Sequence, residues 1–373
     1  MKKIVIIGGG FAGISAAESL RDYRFDLDVT LIDRKLTFDF LPLLPDCIGR
    51  GIRPGNLTYN IEDIAQELRF KFVNEQVTAI DLEKHDVVMG SKSLFYDYLL
   101  IASGSETNFY GNEDIRNNAC KLDDANDAAD LMQLLKKSDF ENFIVCGGGY
   151  TGIEVATNLK VFLKKSRKNG VVTIVERQPT ILGPLPQWMK DYVGENLRRL
   201  EIGVLTNSGI ERIDNRSIQL VGGKRLDDGL VVWAAGVKTA PFIQSLPAEK
   251  SPQGRIKVDE CLRMNDSCFV AGDAANFAYK SGYLRMAVQF SIMQGYSVAR
   301  NIIRDIEGLS LKEYRPEDLG YIIPMANNVS CGTVLGADLK GRLATMLHFL
   351  MCIYRSHGMR NRLGIVADLM RGA

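Results

Sequence analysis

Four glycines and a delayed carboxylate occur twice, in the same arrangement, along the 373-residue chain. Gly8-Gly9-Gly10-Phe11-Ala12-Gly13 is followed by Asp33, 20 residues beyond Gly13. Gly147-Gly148-Gly149-Tyr150-Thr151-Gly152 is followed by Glu176, 24 residues beyond Gly152. Glycine permits φ > 0 and lets backbone approach a pyrophosphate closely. A helix starting at such a turn aims free N–H groups and the positive end of its dipole at the phosphates. A carboxylate closing the next strand can accept hydrogen bonds from ribose hydroxyls. One such loop could be an ordinary glycine turn, but strand, glycines, helix, second strand and acid recur here in order. Two complete signatures imply two dinucleotides, and two dinucleotides held in one chain imply electron transfer between them.

The elements that must position these residues are legible around them. Ile4 to Ile7 and Phe143 to Cys146 read as buried strands entering the loops, and Asp28 to Ile32 and Val171 to Val175 as the strands leading to the acids. Between the two copies we expect a loop over Phe38–Arg53, a helix over Ile61–Leu68, strands at Val77–Leu82, Asp86–Met89 and Tyr98–Ile101, and a helix over Ala125–Lys137. The strand ending at Ala102-Ser103-Gly104 has an echo in Leu230–Trp233, which ends at Ala234-Ala235-Gly236. An amphipathic helix is expected over Lys190–Leu200, a strand from Cys268 meeting Gly272-Asp273, and a long helix from near Arg285 to Ile306.

Composition narrows the setting. The chain is 46% hydrophobic and 24% charged with a formal net charge of +1, which gives no global reason to expect nucleic acid. Seven cysteines without a C-x-x-C pair argue for reduced thiols in a cytoplasmic setting. Lys2-Lys3 precede an apolar run that stops at Ile7, too short for a signal peptide, and no stretch approaches the ~20 apolar residues of a transmembrane helix. His85, His348 and His357 have no metal-ligand spacing.

Two further regions could carry chemistry or contact. Glu154 sits in the first turns of the second loop's helix among apolar neighbours; it is either a carboxylate favoured by the helix terminus or a group facing a nicotinamide. Gly341–Arg355 is apolar on most sides, and Lys340, Arg342, Arg355, Arg360, Arg362 and Arg371 face only Asp368 of opposite sign. Short apolar helices flanked by cations suit the surface of an anionic membrane; the alternatives are a docking helix or a dimer interface. Glu176 would repel a 2′-phosphate and so favours NADH, with Arg177 beside it pulling toward NADPH.

Taken in order, the two glycine loops with Asp33 and Glu176, Ala102-Ser103-Gly104, Ala234-Ala235-Gly236 and Gly272-Asp273 resemble the FAD/NAD(P)-linked two-dinucleotide flavoproteins over about the first 310 residues. Within that superfamily, Phe40-Leu41-Pro42-Leu43-Leu44-Pro45 resembles the flavin-contacting loop of type II NADH:quinone oxidoreductases. Val288-Gln289-Phe290-Ser291-Ile292-Met293-Gln294-Gly295 resembles their quinone motif, departing at Val288, Ser291 and Met293, and Arg360-Asn361-Arg362-Leu363 resembles their anchoring tail. The resemblance implies an α/β chain with two Rossmann-like domains plus a C-terminal membrane-associating region. It implies an FAD-binding domain in two parts (1–108 and 247–320), an NAD(H)-binding domain (109–246), and a membrane-associating stretch over 321–373. FAD would be held by Gly8, Gly10, Phe11, Ala12, Gly13, Asp33, Arg34, Pro42, Ala102, Gly104, Gly272 and Asp273. NADH would be held by Gly147, Gly149, Tyr150, Thr151, Gly152, Glu176 and Gly236. Glu154 and Gln289 would serve catalysis, and Gln289, Met293 and Gln294 the quinone. The enzyme would lie peripherally on the cytoplasmic face of the cell membrane, as one copy or as a homodimer.

Two rivals stand beside this reading. Cys120 and Cys331 lie roughly where sulfide:quinone oxidoreductases place redox cysteines, although no third cysteine occurs between Gly147 and Glu154. Cys47 has no neighbour to pair with, which disfavours a disulfide reductase. The other rival is a nucleotide-sensing flavoprotein that acts through a partner.

Overall fold

The computed structural model describes residues 1–21, 23 and 27–372, which form two compact units. The first comprises Met1–Phe38, Tyr59–Glu106 and Val237–Asp318. Its parallel sheet has the order Cys268–Val270, Tyr98–Ile101, Lys2–Ile7, Leu27–Asp33, Lys71–Asn74. Strands covered on both faces need continuous apolar runs, not alternation. Ile4, Ile6, Leu31, Ile32, Leu99, Leu100 and Ile101 are accordingly sealed from solvent. Helix Phe11–Arg21 follows the first strand and packs on helix Val288–Ile306. The crossing is so close that a Cβ on Gly295 would lie 2.2 Å from the Ala12 carbonyl oxygen, so Gly295 serves packing.

The second unit comprises Asp39–Thr58, Thr107–Gly236 and Leu319–Ala373. Its parallel sheet runs Gly203–Leu205, Val171–Val175, Asn142–Cys146, Gly229–Trp233, with Asn142 opposite both Val171 and Gly229. Helix Tyr150–Ser166 lies over Phe143, Val145 and Ile174 in one apolar cluster that also takes in Ile48, Met325 and Cys331. An antiparallel sheet of Gly320–Ile323, Cys331–Val334 and Ala337–Lys340 leads into helices Gly341–Arg355 and Met359–Gly372. Residues 39–58 and the C-terminal stretch thus fold with the second glycine loop.

The helices at Ile61–Leu68 and Ala125–Lys137 and the strand at Tyr98–Ile101 have the expected bounds. The stretch 38–53 does not stay a loop: Leu41–Leu43 is a 3-10 turn and Leu44–Gly49 an α-helix. Pro42 and Pro45 occupy first-turn positions, where a missing N–H costs nothing, so an apparent loop signal was a helix-start signal. The helix expected over Lys190–Leu200 starts earlier, at Gln187, with Pro186 as its N-cap. The long helix starts at Val288 instead of near Arg285.

Candidate functional site

The two glycine loops are held by the same kind of contact. In the first, Asp33 accepts from Gly9 N at 2.6 Å through one oxygen and from Lys35 N at 2.8 Å through the other. In the second, Glu176 accepts from Gly148 N at 2.6 Å and from Gln178 N at 2.7 Å. The acid therefore clamps its own loop through the middle glycine's amide, a role the spacing alone did not reveal.

Each glycine has a distinct job. Gly8 and Gly147 have φ of 109° and 112°, and a Cβ there would meet the Ala102 or Ala234 carbonyl oxygen at 2.3 or 2.6 Å. This explains the echo between Ala102-Ser103-Gly104 and Ala234-Ala235-Gly236: each segment is the floor against which its loop turns. A Cβ on Gly13 or Gly152 would sit 1.9 or 1.8 Å from the carbonyl oxygen of Gly8 or Gly147, so those glycines let the helix approach the strand. Gly10 and Gly149 have nothing within 4 Å of where a side chain would begin. That leaves backbone N–H groups accessible at a helix start, the arrangement a pyrophosphate needs.

In the first unit the turn at Gly272–Ala274 is held by side chains from elsewhere. Gln294 is buried and its Oε1 accepts from Gly272 N at 2.7 Å, so this residue braces the turn. Ser105 donates to Asp273 at 2.8 Å; burial raises the Asp273 carboxyl above its usual range against the pull of that bond and of Arg255. Arg255 is buried and donates to the Ala275 and Leu284 carbonyls at 2.6 and 3.0 Å. Arg255 Nε and Ser103 Oγ are shielded from solvent with no hydrogen-bond partner among the described residues. Open space at Gly10 and unsatisfied polar atoms near the Ala102 floor and the Asp273 turn fit a large polar ligand such as FAD. Sequence reasoning missed Ser103 and Arg255.

The remaining first-unit candidates are placed as follows. Phe11 stacks edge-on to Phe38 at 4.9 Å, Ala12 is buried, and Arg34 forms an exposed ion pair with Glu106 at 3.3 Å. Gly104 has a φ of 66°. Gln289 is buried and donates to Asp318 at 3.2 Å, a carboxylate that also takes Arg285 at 2.9 Å. Met293 is half-buried on the same helix.

In the second unit, Tyr150 packs edge-on to Tyr321 at 5.7 Å, Thr151 is exposed, Pro42 lies in the 3-10 turn, and a Cβ on Gly236 would strike the Tyr110 hydroxyl. Glu154 is only half-buried as a residue, yet its carboxyl is desolvated, which raises its pKa well above the usual value, and the nearby Asp46 charge raises it further. Asp46 is itself buried and lies 2.9 Å from Arg50 Nε; burial outweighs that cation and lifts Asp46 to about 6. Asn158 on the Glu154 helix reaches the Asp46 carboxyl and donates to the Glu154 carbonyl at 3.0 Å. Asp46 and Arg50, spaced i,i+4 in an apolar stretch, were the sequence signal for this cluster.

The cysteines of the sulfide rival sit in thiol-favouring surroundings. Cys120 is raised to about 11 by burial and by Asp127 and Asp130, and Cys331, a core residue, to about 12 by burial; both are unpaired. A nucleophile needs the thiolate, and neither site favours it.

The terminal helices present apolar side chains outward. Leu343, Met346, Leu350 and Tyr354 on the first, and Met359, Leu363 and Met370 on the second, are exposed at helical spacing. Asp368 turns inward, accepting from Arg53 N at 3.0 Å, Arg53 Nε at 2.9 Å and Asn56 at 2.6 Å. Not every cation faces out as expected. Arg362 donates to the Ser356 and Tyr354 carbonyls at 2.9 and 3.0 Å, closing the preceding helix, and Lys340 lies over the Trp188 and Tyr192 rings. Arg342 and Arg360 remain exposed. No helix among the described residues is long and apolar enough to cross a membrane.

With two clamped glycine loops in place, the family model for pyridine nucleotide-disulphide oxidoreductases matches residues 2–300. The chain belongs to this family. A member-like relative, demethylphylloquinone reductase NdbB of Synechocystis, is 26% identical over 95% of this chain and 92% of its own length. Type II NADH:quinone oxidoreductase of Staphylococcus haemolyticus is also 26% identical, over 93% of each chain. Among solved structures, NDH2 of Plasmodium falciparum in complex with NADH shares the fold with a TM-score of 0.86 and 20% identity, covering 99% of this chain and 98% of that one. Sulfide:quinone oxidoreductase of Aquifex aeolicus follows with a TM-score of 0.81 and 20% identity, covering 98% and 93%. The family's fold of two dinucleotide-binding Rossmann-like domains is the fold seen here.

Proposed function

We propose that this protein is an FAD-dependent NADH:quinone oxidoreductase working at a membrane surface. The doubled, clamped glycine loop carries the reading, because it supplies two dinucleotide seats within a family defined by pyridine nucleotide redox chemistry. The names of the 26% identical relatives over nearly the whole chain support a quinone as acceptor.

FAD, when bound, supplies two-electron chemistry that accepts hydride and passes electrons onward. The chain's own work is positioning and electrostatics. Gly10 and the amides around it receive one pyrophosphate, with Gln294 and Arg255 bracing the Asp273 turn. Gly149 does the same for NADH, and Glu176 disfavours a 2′-phosphate by charge. Glu154, whose carboxyl is pushed well above the usual range by desolvation, is the group suited to giving a proton to the acceptor. Reduction of a quinone by NADH consumes one proton beyond the hydride, and a desolvated carboxyl is a group that can carry it.

Anaerobic mixing of the purified flavoprotein with NADH and, separately, with sulfide tests this reading. NADH is expected to bleach the flavin and a soluble quinone to restore its colour. Bleaching by sulfide alone would hand the assignment to Cys120 and Cys331, and tight NADH binding without turnover on any quinone would favour a sensor.

The lipid surface is the occupant proposed for the exposed apolar face of the terminal helices, on the cytoplasmic side. Exchanging Leu343, Met346 and Leu350 for serine should abolish co-sedimentation with anionic vesicles. Retained co-sedimentation would sink the lipid assignment, and a parallel change from dimer to monomer would assign the face to a second copy.

A further inference from the structure

Two arginines line one recess in the first unit, and only one of them has a matching acid. The recess lies at the Gly272–Ala274 turn and is bounded by Arg255, Asp273, Arg285, Met286 and Phe290. Arg285 is held in a two-point ion pair with Asp318, at 2.5 and 2.9 Å. Arg255 has no such partner: among the described residues no carboxylate comes within 4 Å of its guanidinium.

Backbone on both sides fixes where Arg255 sits. Gly254, at a φ of 82°, belongs to a tight turn in which Ser251 N donates to Arg255 O at 2.9 Å. The next residues, Ile256 and Lys257, pair in parallel with Ala275 and Asn276, directly after the Asp273 turn. One terminal nitrogen of Arg255 donates to the Ala275 and Leu284 carbonyls, which are neutral and leave its charge unmatched. Arg255 Nε is shielded and has no partner among the described residues, on a residue only 7% exposed. A buried cation without an anion is destabilising, and an unmade buried donor adds to that. Asp273 is the acid of the same recess, but it accepts from Ser105 at 2.8 Å and burial raises it above the usual carboxyl range.

The second positive element is the start of helix Val288–Ile306. Ala287, its N-cap, lines the recess; no side chain caps this helix, and its first turn carries no acid. The positive end of a 19-residue helix dipole and a buried guanidinium therefore meet at one place. Met286 and Phe290 add apolar walls, which suit a ring better than a diphosphate. The diphosphate has its own seat at the open Gly10.

We infer that Arg255 is the counter-charge for the reduced flavin, matching the negative charge that the bound ring gains when hydride arrives. The inference rests on the reading of the first unit as the FAD seat and of NADH as the donor. Hydride from NADH carries two electrons and one proton, so NAD departs and the ring is left one charge more negative than before. A cation already fixed in place and away from solvent stabilises that charge without reorganising, and so raises the affinity for electrons.

Arg255→Gln and Arg255→Lys in the FAD-loaded protein provide the test, read by potentiometric titration of the flavin and by release of oxidised FAD. Arg255→Gln should weaken binding of reduced relative to oxidised FAD at least about tenfold, which lowers the two-electron midpoint potential by about 30 mV. Arg255→Lys keeps the charge and loses the fork, and should recover most of that shift. In the parent the potential should fall by about 30 mV per pH unit near neutrality, the slope of one proton per two electrons. In Arg255→Gln that slope should steepen toward acid pH as the reduced ring takes a second proton. An unchanged potential in an Arg255→Gln protein that holds FAD overturns the inference. So does equal weakening of both redox states in the two variants, which would assign Arg255 to the diphosphate or to bracing the turn. If Arg255→Gln fails to hold FAD, the parent's slope decides: one proton per two electrons supports the counter-charge, and two overturn it. A parent whose flavin is titrated chemically but never reduced by NADH overturns the proposed function instead.

Discussion

The first and second glycine loops share a clamp, a floor and a helix contact, but differ in what surrounds them. Around the first, Gln294, Ser105 and Arg255 converge on the Gly272–Ala274 turn, and Ser103 and Arg255 keep shielded polar atoms in reserve. Around the second, the distinctive groups are buried acids: desolvation raises both Glu154 and Asp46, and Arg50 Nε lies 2.9 Å from Asp46. On the proposed function, one region holds a ligand and the other supplies a proton. This is the division expected of a resident dinucleotide and an exchangeable one.

The comparison can be broken most sharply at the two open glycines. Alanine at either has room in the protein, so each change reports on ligand approach and not on the fold. Gly10→Ala should cost most of the bound FAD, about tenfold or more in retention, which is roughly 1.4 kcal/mol. Gly149→Ala should leave FAD content alone and raise KM for NADH by a similar factor. Equal loss of FAD in both variants would erase the distinction between the seats.

A smaller effect is expected at Glu176. Glu176→Gln keeps an oxygen to accept from Gly148 while removing the charge. Preference for NADH over NADPH in kcat/KM should fall several-fold, with FAD content unchanged. An unchanged preference would mean that the acid serves only as a clamp.

The smallest effect is on stability. Glu154 titrates higher in the folded protein than in the unfolded chain, so its contribution is full below about pH 4.5 and is lost as pH rises through the folded value. Glu154→Gln should therefore gain Tm relative to the parent as pH is raised from about 5 to 9, by a few degrees, while quinone reduction falls. A constant Tm difference across that range would show that desolvation of this carboxyl is not the cause.

Much of this architecture was legible because covered parallel strands and glycine turns leave local marks. Ile4 to Ile7, Phe143 to Cys146 and both glycine hexapeptides could be read from the chain without tertiary knowledge. The clamp by Asp33 and Glu176 could not, because a carboxylate spaced for a ribose and one bonded to a loop amide look identical in sequence. Gln294 and Gly295 were read as motif members, whereas Gln294 braces Gly272 and Gly295 admits Ala12, contacts set by a helix crossing. Asp46, Arg50 and Asn158 come together only because two helices meet at Gly49, across more than a hundred residues of chain.

Asp368, the only acid after residue 338, spends its charge inward on Arg53 and Asn56. The outward charge of the terminal helices is thereby all of one sign, while their outward apolar stripe is uncharged. Arrival at and departure from an anionic surface would then obey different rules. Capture depends on cations felt over a Debye length of about 8 Å at physiological salt, and so slows as salt rises. Residence depends on Leu343, Met346, Leu350 and their neighbours, and is nearly indifferent to salt.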